Sequence, residues 1–151
     1  MICAYLDDIG DIGDIGDIGD IGDIGDIGAG SLHPQAGPAR WQAQRWQALG
    51  DGLLDVLILW RNEREREAPL PPLMAAFKHK THACMARLDD ETQALIDTPL
   101  TIGQIAVGCA LGYLDYRFEA LNWRAEAPRL AAWYAMLARR PSWQATEPAD
   151  G

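Results

Sequence analysis

The side chains able to do chemistry are few and scattered. Asp51 and Asp55 stand four residues apart, so on a helix they share a face. Leu54 lies between them, and Gly50 and Gly52 are their neighbours. Two readings are open for this cluster. It is either a solvated helix edge or a polar corner of a ligand cleft, where a few polar groups orient a guest in a mostly apolar pocket. His79 and His82 are three apart and could face one way as metal ligands. No third ligand stands at a recognisable spacing, so with Lys78 and Lys80 they read as a solvated basic face, and no metal is expected. His33 precedes Pro34 in a loop. Cys3, Cys84 and Cys109 are odd in number, far apart and form no Cys-x-x-Cys pair, which predicts reduced, buried thiols in a cytoplasmic protein. No Gly-x-Ser-x-Gly elbow, phosphate loop, His-Glu-x-x-His or Gly-x-Gly-x-x-Gly pattern occurs.

The element that must position these groups is the uncharged run Thr101–Leu114. Leu100, Ile102, Ile105, Val107, Leu111, Tyr113 and Leu114 fall on every side of a helical wheel, so the run predicts a helix buried all round. It is too short to span a bilayer, which takes about 20 apolar residues. Thr101 as N-cap and Gln104 three residues on predict a capping box, with Leu100 and Ile105 placed for a hydrophobic staple. Gly103, Gly108 and Gly112 thin the surface of this helix, which predicts neighbours that come close.

Three further helices follow from the pattern. Pro38 suits a first helical turn, and Trp46, Leu49, Leu53, Leu57 and Trp60 form one stripe up to about Arg66. The alternating charges of residues 62–67 read as a solvated end of that helix, and Gly50 and Gly52 mark a close approach. Residues 68–72 break the chain. A second long helix then runs from Leu73 to about Leu95, burying Met74, Phe77, Thr81, Cys84, Met85 and Leu88. Residues 115–126 read as a loop. Pro128 opens a last helix with Leu130, Trp133, Tyr134 and Leu137 on its apolar face, Pro141 stops it, and a polar tail follows. The fold class expected is all-α: four main helices and no strands.

The N-terminal stretch is of another kind. Asp-Ile-Gly repeats seven times from Asp8 to Gly28. A period of three matches neither the helix nor the strand repeat. There is no proline to make it collagen-like, and it reads as a linker. Met1–Asp7 looks like the tail of an amphipathic helix, with Ile2, Tyr5 and Leu6 on one face. The formal charge of −9 is concentrated in this repeat; without its seven aspartates the balance is −2. A near-neutral body carries no basic footprint for nucleic acid. The 151 residues, 48% hydrophobic, suffice for one domain with a sizeable core. No signal-peptide pattern opens the chain. The division expected is 1–7, 8–30 as linker, and 31–151 as the helical domain.

LTIGQIAVGCALGYLDYRF, then NWR, then PRLAAWYAMLARRPSWQATEP strongly resemble the C-terminal helical domain of bacterial glutathione transferases. In that family a Ser/Thr-x-x-Asp capping box opens the central helix; here it is Thr101 and Gln104, and glutamine brings no charge. GPARWQAQRWQALGDGLLDVLILWRNERE resembles the first long helix of the same domain, and MICAYLDD the end of the preceding thioredoxin-like domain.

The resemblance implies a division of labour. In the family the thioredoxin-like domain holds glutathione and supplies the catalytic Ser, Tyr or Cys, the cis-proline loop and a Glu/Gln-Ser pair. None of these has a counterpart here, so no catalytic residue carries over, and the chain alone is expected to be inactive. No cofactor is implied; glutathione would be the co-substrate. The helical domain forms the wall of the cleft for a small electrophile. By position Asp51, Leu54 and Asp55 are the wall residues implied. Homodimerisation or self-association through an uncovered apolar face is a further expectation, with no nucleic-acid or membrane partner. Two other readings stay open: a non-catalytic helical binding or assembly module, and a truncated gene product.

Overall fold

The computed structural model describes residues 32–146. The segments 1–7 and 8–30 of the expected division lie outside the described residues.

Helix α1, Gly37–Arg64, opens with proline in its first turn and buries Ala43, Trp46, Gly50, Leu53, Leu57, Trp60 and Glu63, a row at spacings of three and four. It ends two residues before the expected Arg66, and its charged end is not simply solvated. Glu63 is buried; its carboxylate accepts the Leu70 backbone N–H at 2.7 Å and pairs with Arg66 at 3.0 Å, which turns the chain toward the next helix.

Helix α2, Pro71–Asp90, and helix α3, Thr92–Asp97, replace the single helix expected to about Leu95. The break falls at Glu91. Its carboxylate pairs with Arg45 and Arg87 and accepts the Trp46 indole N–H at 2.8 Å, tying the break to α1. Thr81, Met85 and Leu88 are buried as expected, whereas Met74, Phe77 and Cys84 are only half-buried.

Helix α4, Ile102–Arg117, is the central rod. Thr101 and Gln104 form the expected capping box, with the Thr101 N–H donating to Gln104 Oε1 at 2.7 Å. Buried Gln104 does more than cap. Its Nε2 donates to the carbonyl oxygens of Thr98 and Pro99 at 2.9 and 3.0 Å, holding the entry loop. The heaviest packing of α4 is against α1. A Cβ on Gly103 would lie 2.6 Å from the Ala43 carbonyl oxygen, and one on Gly50 2.5 Å from the Ala106 carbonyl carbon. Nothing approaches Gly52 within 4 Å, so of Gly50 and Gly52 only Gly50 marks a close approach.

Residues 115–126 are not the expected loop. Helix α4 runs through Asp115 to Arg117, a 3₁₀ turn covers Glu119–Leu121, and α5 covers Trp123–Glu126. Side-chain bonds hold this segment in helical form despite its many polar residues. Buried Trp123 donates its indole N–H to Asp115 Oδ1 at 2.8 Å, and Arg124 grips Asp115 with both guanidinium nitrogens. Asn122 takes the left-handed turn between them at φ 47°, a conformation asparagine tolerates.

Helix α6, Pro128–Leu137, is capped from a distance. Asp89 at the end of α2 accepts the Leu130 N–H and the Arg129 guanidinium, both at 2.8 Å. Pro141 does not merely stop α6; it opens α7, Pro141–Ala145, where a polar tail was expected. One core joins α1 to α4 and α6 through Trp46, Leu57, Leu88, Val107, Leu114 and Leu130. The described residues are all helix and turn, with no strand among them.

Candidate functional site

Helix α4 is not closed on every side. Val107, Ala110, Leu111 and Leu114 are fully buried, while Ile105, Gly112, Tyr113 and Tyr116 are half-buried and Cys109 is exposed. Ile105, Cys109, Gly112, Tyr113 and Tyr116 line a groove of about 790 Å³. Leu54 of α1 borders it on one side; Tyr134 and Leu137 of α6 and Trp143 of α7 border it on the other. The sequence positions each wall. The spacing of Ile105, Cys109 and Tyr113 sets them one above another on α4. Gly108 has no side chain to hold α7 away; a Cβ there would meet the Trp143 ring at 2.5 Å.

The groove is largely apolar with a few polar groups, which is the composition of small-molecule sites. Asp115 and Arg124 in its wall are paired to each other. A smaller, polar cavity of about 380 Å³ lies beyond them, among Asp115, Glu119, Asn122, Trp123 and Arg124. The Tyr113 hydroxyl is buried and has no hydrogen-bond partner. The Cys109 thiol is pushed above its ordinary range by partial burial and then by the negative charge of Asp51. Cys84 is raised as well, by burial. Both thiols are free, but exposed Cys109 departs from the buried state expected of it.

Of the three residues singled out on α1, Leu54 lies in the groove wall. Asp51 and Asp55 are exposed on the same helix, and Asp51 is near enough to Cys109 to act on its thiol. His79 is exposed, and His82 pairs through Nδ1 with Glu126 at 2.5 Å. Among the described residues no three His, Cys, Asp or Glu side chains come together to hold a metal. Sequence reasoning missed Tyr113, Tyr116, Tyr134 and Trp143 as wall residues. The signal for the first two was present: a row of mixed character at residues 105, 109, 113 and 116, at spacings of four, four and three along one side of the helix.

A family model described as the glutathione S-transferase C-terminal domain matches residues 71–135. A glutathione transferase family member from Pseudomonas fluorescens Pf-5, solved with bound S-(propanoic acid)-glutathione, is 34% identical with a TM-score of 0.79, over 99% of this chain and 69% of that one. The chain belongs to the glutathione transferase family. A second structure from the same organism, solved with bound glutathione, is also 34% identical, with a TM-score of 0.80 over 99% of this chain and 66% of that one. The uncharacterized GST-like protein YibF of Escherichia coli K12 is 28% identical over 112 residues, 71% of this chain and 55% of that protein. The chain therefore spans about half to two thirds of these transferase relatives. The matched residues 71–135 hold the α4 side of the groove and Tyr134, while Leu54, Leu137 and Trp143 of its wall lie outside the match. No helix among the described residues is long and apolar enough to cross a membrane.

Proposed function

We propose that this glutathione transferase family chain supplies the electrophile side of a substrate cleft and has no transferase activity alone. The observation that carries the reading is the groove along α4, an apolar trough whose α4 side lies within the stretch that matches the family model. Leu54 is its α1 wall, and Asp51 and Asp55 are the polar edge beside it. The division of the chain at residue 31 and a cytoplasmic location go with this reading. The chemistry it would serve is thiolate attack by glutathione on a small electrophile, with the thiol activated by a group outside this chain's assigned residues. Relatives solved with glutathione bound support glutathione as co-substrate.

The test is turnover of 1-chloro-2,4-dinitrobenzene with glutathione by the purified chain. No rate above the uncatalysed reaction is expected, and a clear enzymatic rate overturns the reading.

A second reading is an assembly module that pairs with another copy. Trp41, Leu59 and Met136 favour it, with 70%, 54% and 50% of their surfaces exposed. Light scattering tests this second reading: a monomer at high micromolar concentration removes the assembly module.

A further inference from the structure

The described chain begins in the wall of the groove. Leu32 lines it, and the Leu32 carbonyl oxygen accepts the Ile102 N–H at the start of α4 at 3.0 Å. The Asp-Ile-Gly repeat lies outside the described residues, but it ends at Gly28, four residues earlier. Its last triplet is therefore held within about 14 Å of Leu32, whatever path the chain takes between them. The period of the repeat has a match: polyproline II turns once in about three residues. Wound so, an Asp-Ile-Gly repeat stands its isoleucines in one row, its aspartates in a second and its glycines in a third. Helices of that kind bind in grooves lined by aromatic side chains, and Tyr113, Tyr116, Tyr134 and Trp143 line this one. The lengths agree. From Ile105 to Tyr116 α4 rises about 16 Å, which polyproline II covers in about five residues, close to two triplets. The charges agree as well. The charged wall residues are two arginines, Arg124 and Arg140, and one aspartate, Asp115, against a repeat with an aspartate in every triplet.

We propose that the Asp-Ile-Gly repeat is an intramolecular ligand of the groove, its isoleucines laid in the apolar trough and its aspartates on the side of Arg140. The triplets nearest the tether, residues 23–28, are the first to reach it. Asp51 stands on the opposite, α1 side near Cys109, which sets the aspartate row toward α6 and α7. A glycine in every triplet lets the backbone lie close to the wall. The short tether holds the repeat at high effective concentration, so a weak contact keeps the groove covered. The repeat thus competes with any small-molecule guest, and the chain inhibits its own groove. This goes beyond the transferase reading and stands without it, on the tether, the period and the wall.

Identical triplets can slide into one another's place, so the test replaces isoleucine by serine in all seven, from Ile9→Ser to Ile27→Ser. Cys109 in the groove wall reports whether the trough is covered. Its alkylation by iodoacetamide, followed by peptide mass spectrometry, is expected to be about five-fold faster in the serine variant, as for a segment docked about four-fifths of the time. The rate at Cys84 is expected to stay the same. In the parent chain, nuclear Overhauser contacts are expected between isoleucine methyls of the repeat and the rings of Tyr113 and Tyr116. Equal Cys109 rates in the two proteins overturn the proposal, as does the absence of those methyl contacts. Protection of Cys109 that weakens on dilution also overturns it, because the occupant is then the repeat of a second copy. If the serine variant loses its cooperative thermal transition, the methyl contacts and the dilution series of the parent still decide. None of these readouts uses glutathione, so a failure of the transferase reading shows separately in the chlorodinitrobenzene assay.

Discussion

Gly50 of α1 lies against the backbone of Ala106 in α4 so closely that a side-chain carbon on Gly50 would sit 2.5 Å from the Ala106 carbonyl carbon. The obstacle is backbone inside a helix, not a flexible side chain, so it cannot swing aside. Replacing Gly50 by alanine forces the two central helices apart. Overpacking of this kind costs about 1–3 kcal/mol or more, which outweighs the gain of about 1 kcal/mol in helix propensity. Gly52, two residues on, has open space around it. Gly52→Ala is expected to stabilise by up to about 1 kcal/mol. Urea unfolding of the two variants tests the pair; a stable Gly50→Ala would mean that the helices are not in this contact.

Gln104 holds the start of α4 from both sides. Its oxygen accepts the Thr101 N–H while its nitrogen donates to Thr98 and Pro99. Gln104→Ala strands the buried Thr101 N–H and frees the part-buried Thr98 and Pro99 carbonyls, and is expected to cost about 1–3 kcal/mol. Gln104→Glu keeps the acceptor but loses the donor, and leaves a carboxylate in a buried site facing carbonyl oxygens. It is expected to destabilise at neutral pH and to recover as acid protonates it. Denaturant midpoints at neutral pH and near pH 4 measure both effects; a Gln104→Glu protein as stable as the parent at neutral pH would contradict this role.

Stability should fall in acid, and Glu91 is one identifiable cause. Hydrogen bonding to Arg45 holds its carboxyl below the ordinary 4.5, with burial opposing and Trp46 and Arg87 assisting. A carboxyl that binds its proton less readily when folded stabilises the fold above its ordinary value. That contribution disappears as pH falls through the depressed, folded value. Glu63 behaves in the same direction, chiefly through the Leu70 N–H. Glu91→Gln is expected to be less stable than the parent at neutral pH and to lose less stability between about pH 5 and pH 3. Thermal melts across that window show it as two curves that converge in acid. Parallel curves would remove Glu91 from the account.

The Cys109 thiol is raised above its ordinary 9.0 by burial and by Asp51. It should therefore be a slow nucleophile at neutral pH despite its exposure, because the thiolate is the reactive form. Asp51→Asn removes the smaller cause and is expected to speed alkylation of Cys109 at pH 8 without changing the rate at Cys84. Peptide-resolved iodoacetamide kinetics make the comparison. An unchanged Cys109 rate would show that Asp51 has no hold on it.

Much of this architecture is written locally. The all-α class, the capping box of Thr101 and Gln104, and the starts near Pro38 and Pro128 follow from short-range chemistry: apolar spacing, cap geometry and proline's fixed dihedral. The resemblance to glutathione transferases rested on the same stretches, and the comparisons bear it out. What the chain could not declare locally were features set by partners far off in sequence. Helices α2 and α3 part where Glu91 is taken by Arg45 and Trp46, 46 and 45 residues away. Residues 115–126 look like a loop by composition, yet Asp115 binds Trp123 and Arg124 and holds them helical. The open face of α4 was only half legible: its row at residues 105, 109, 113 and 116 is of mixed character, but an apolar residue carries the same hydrophobicity whether it meets a core or a groove. Only the placement of α6 and α7 around Gly108 decides which side of the helix stays open.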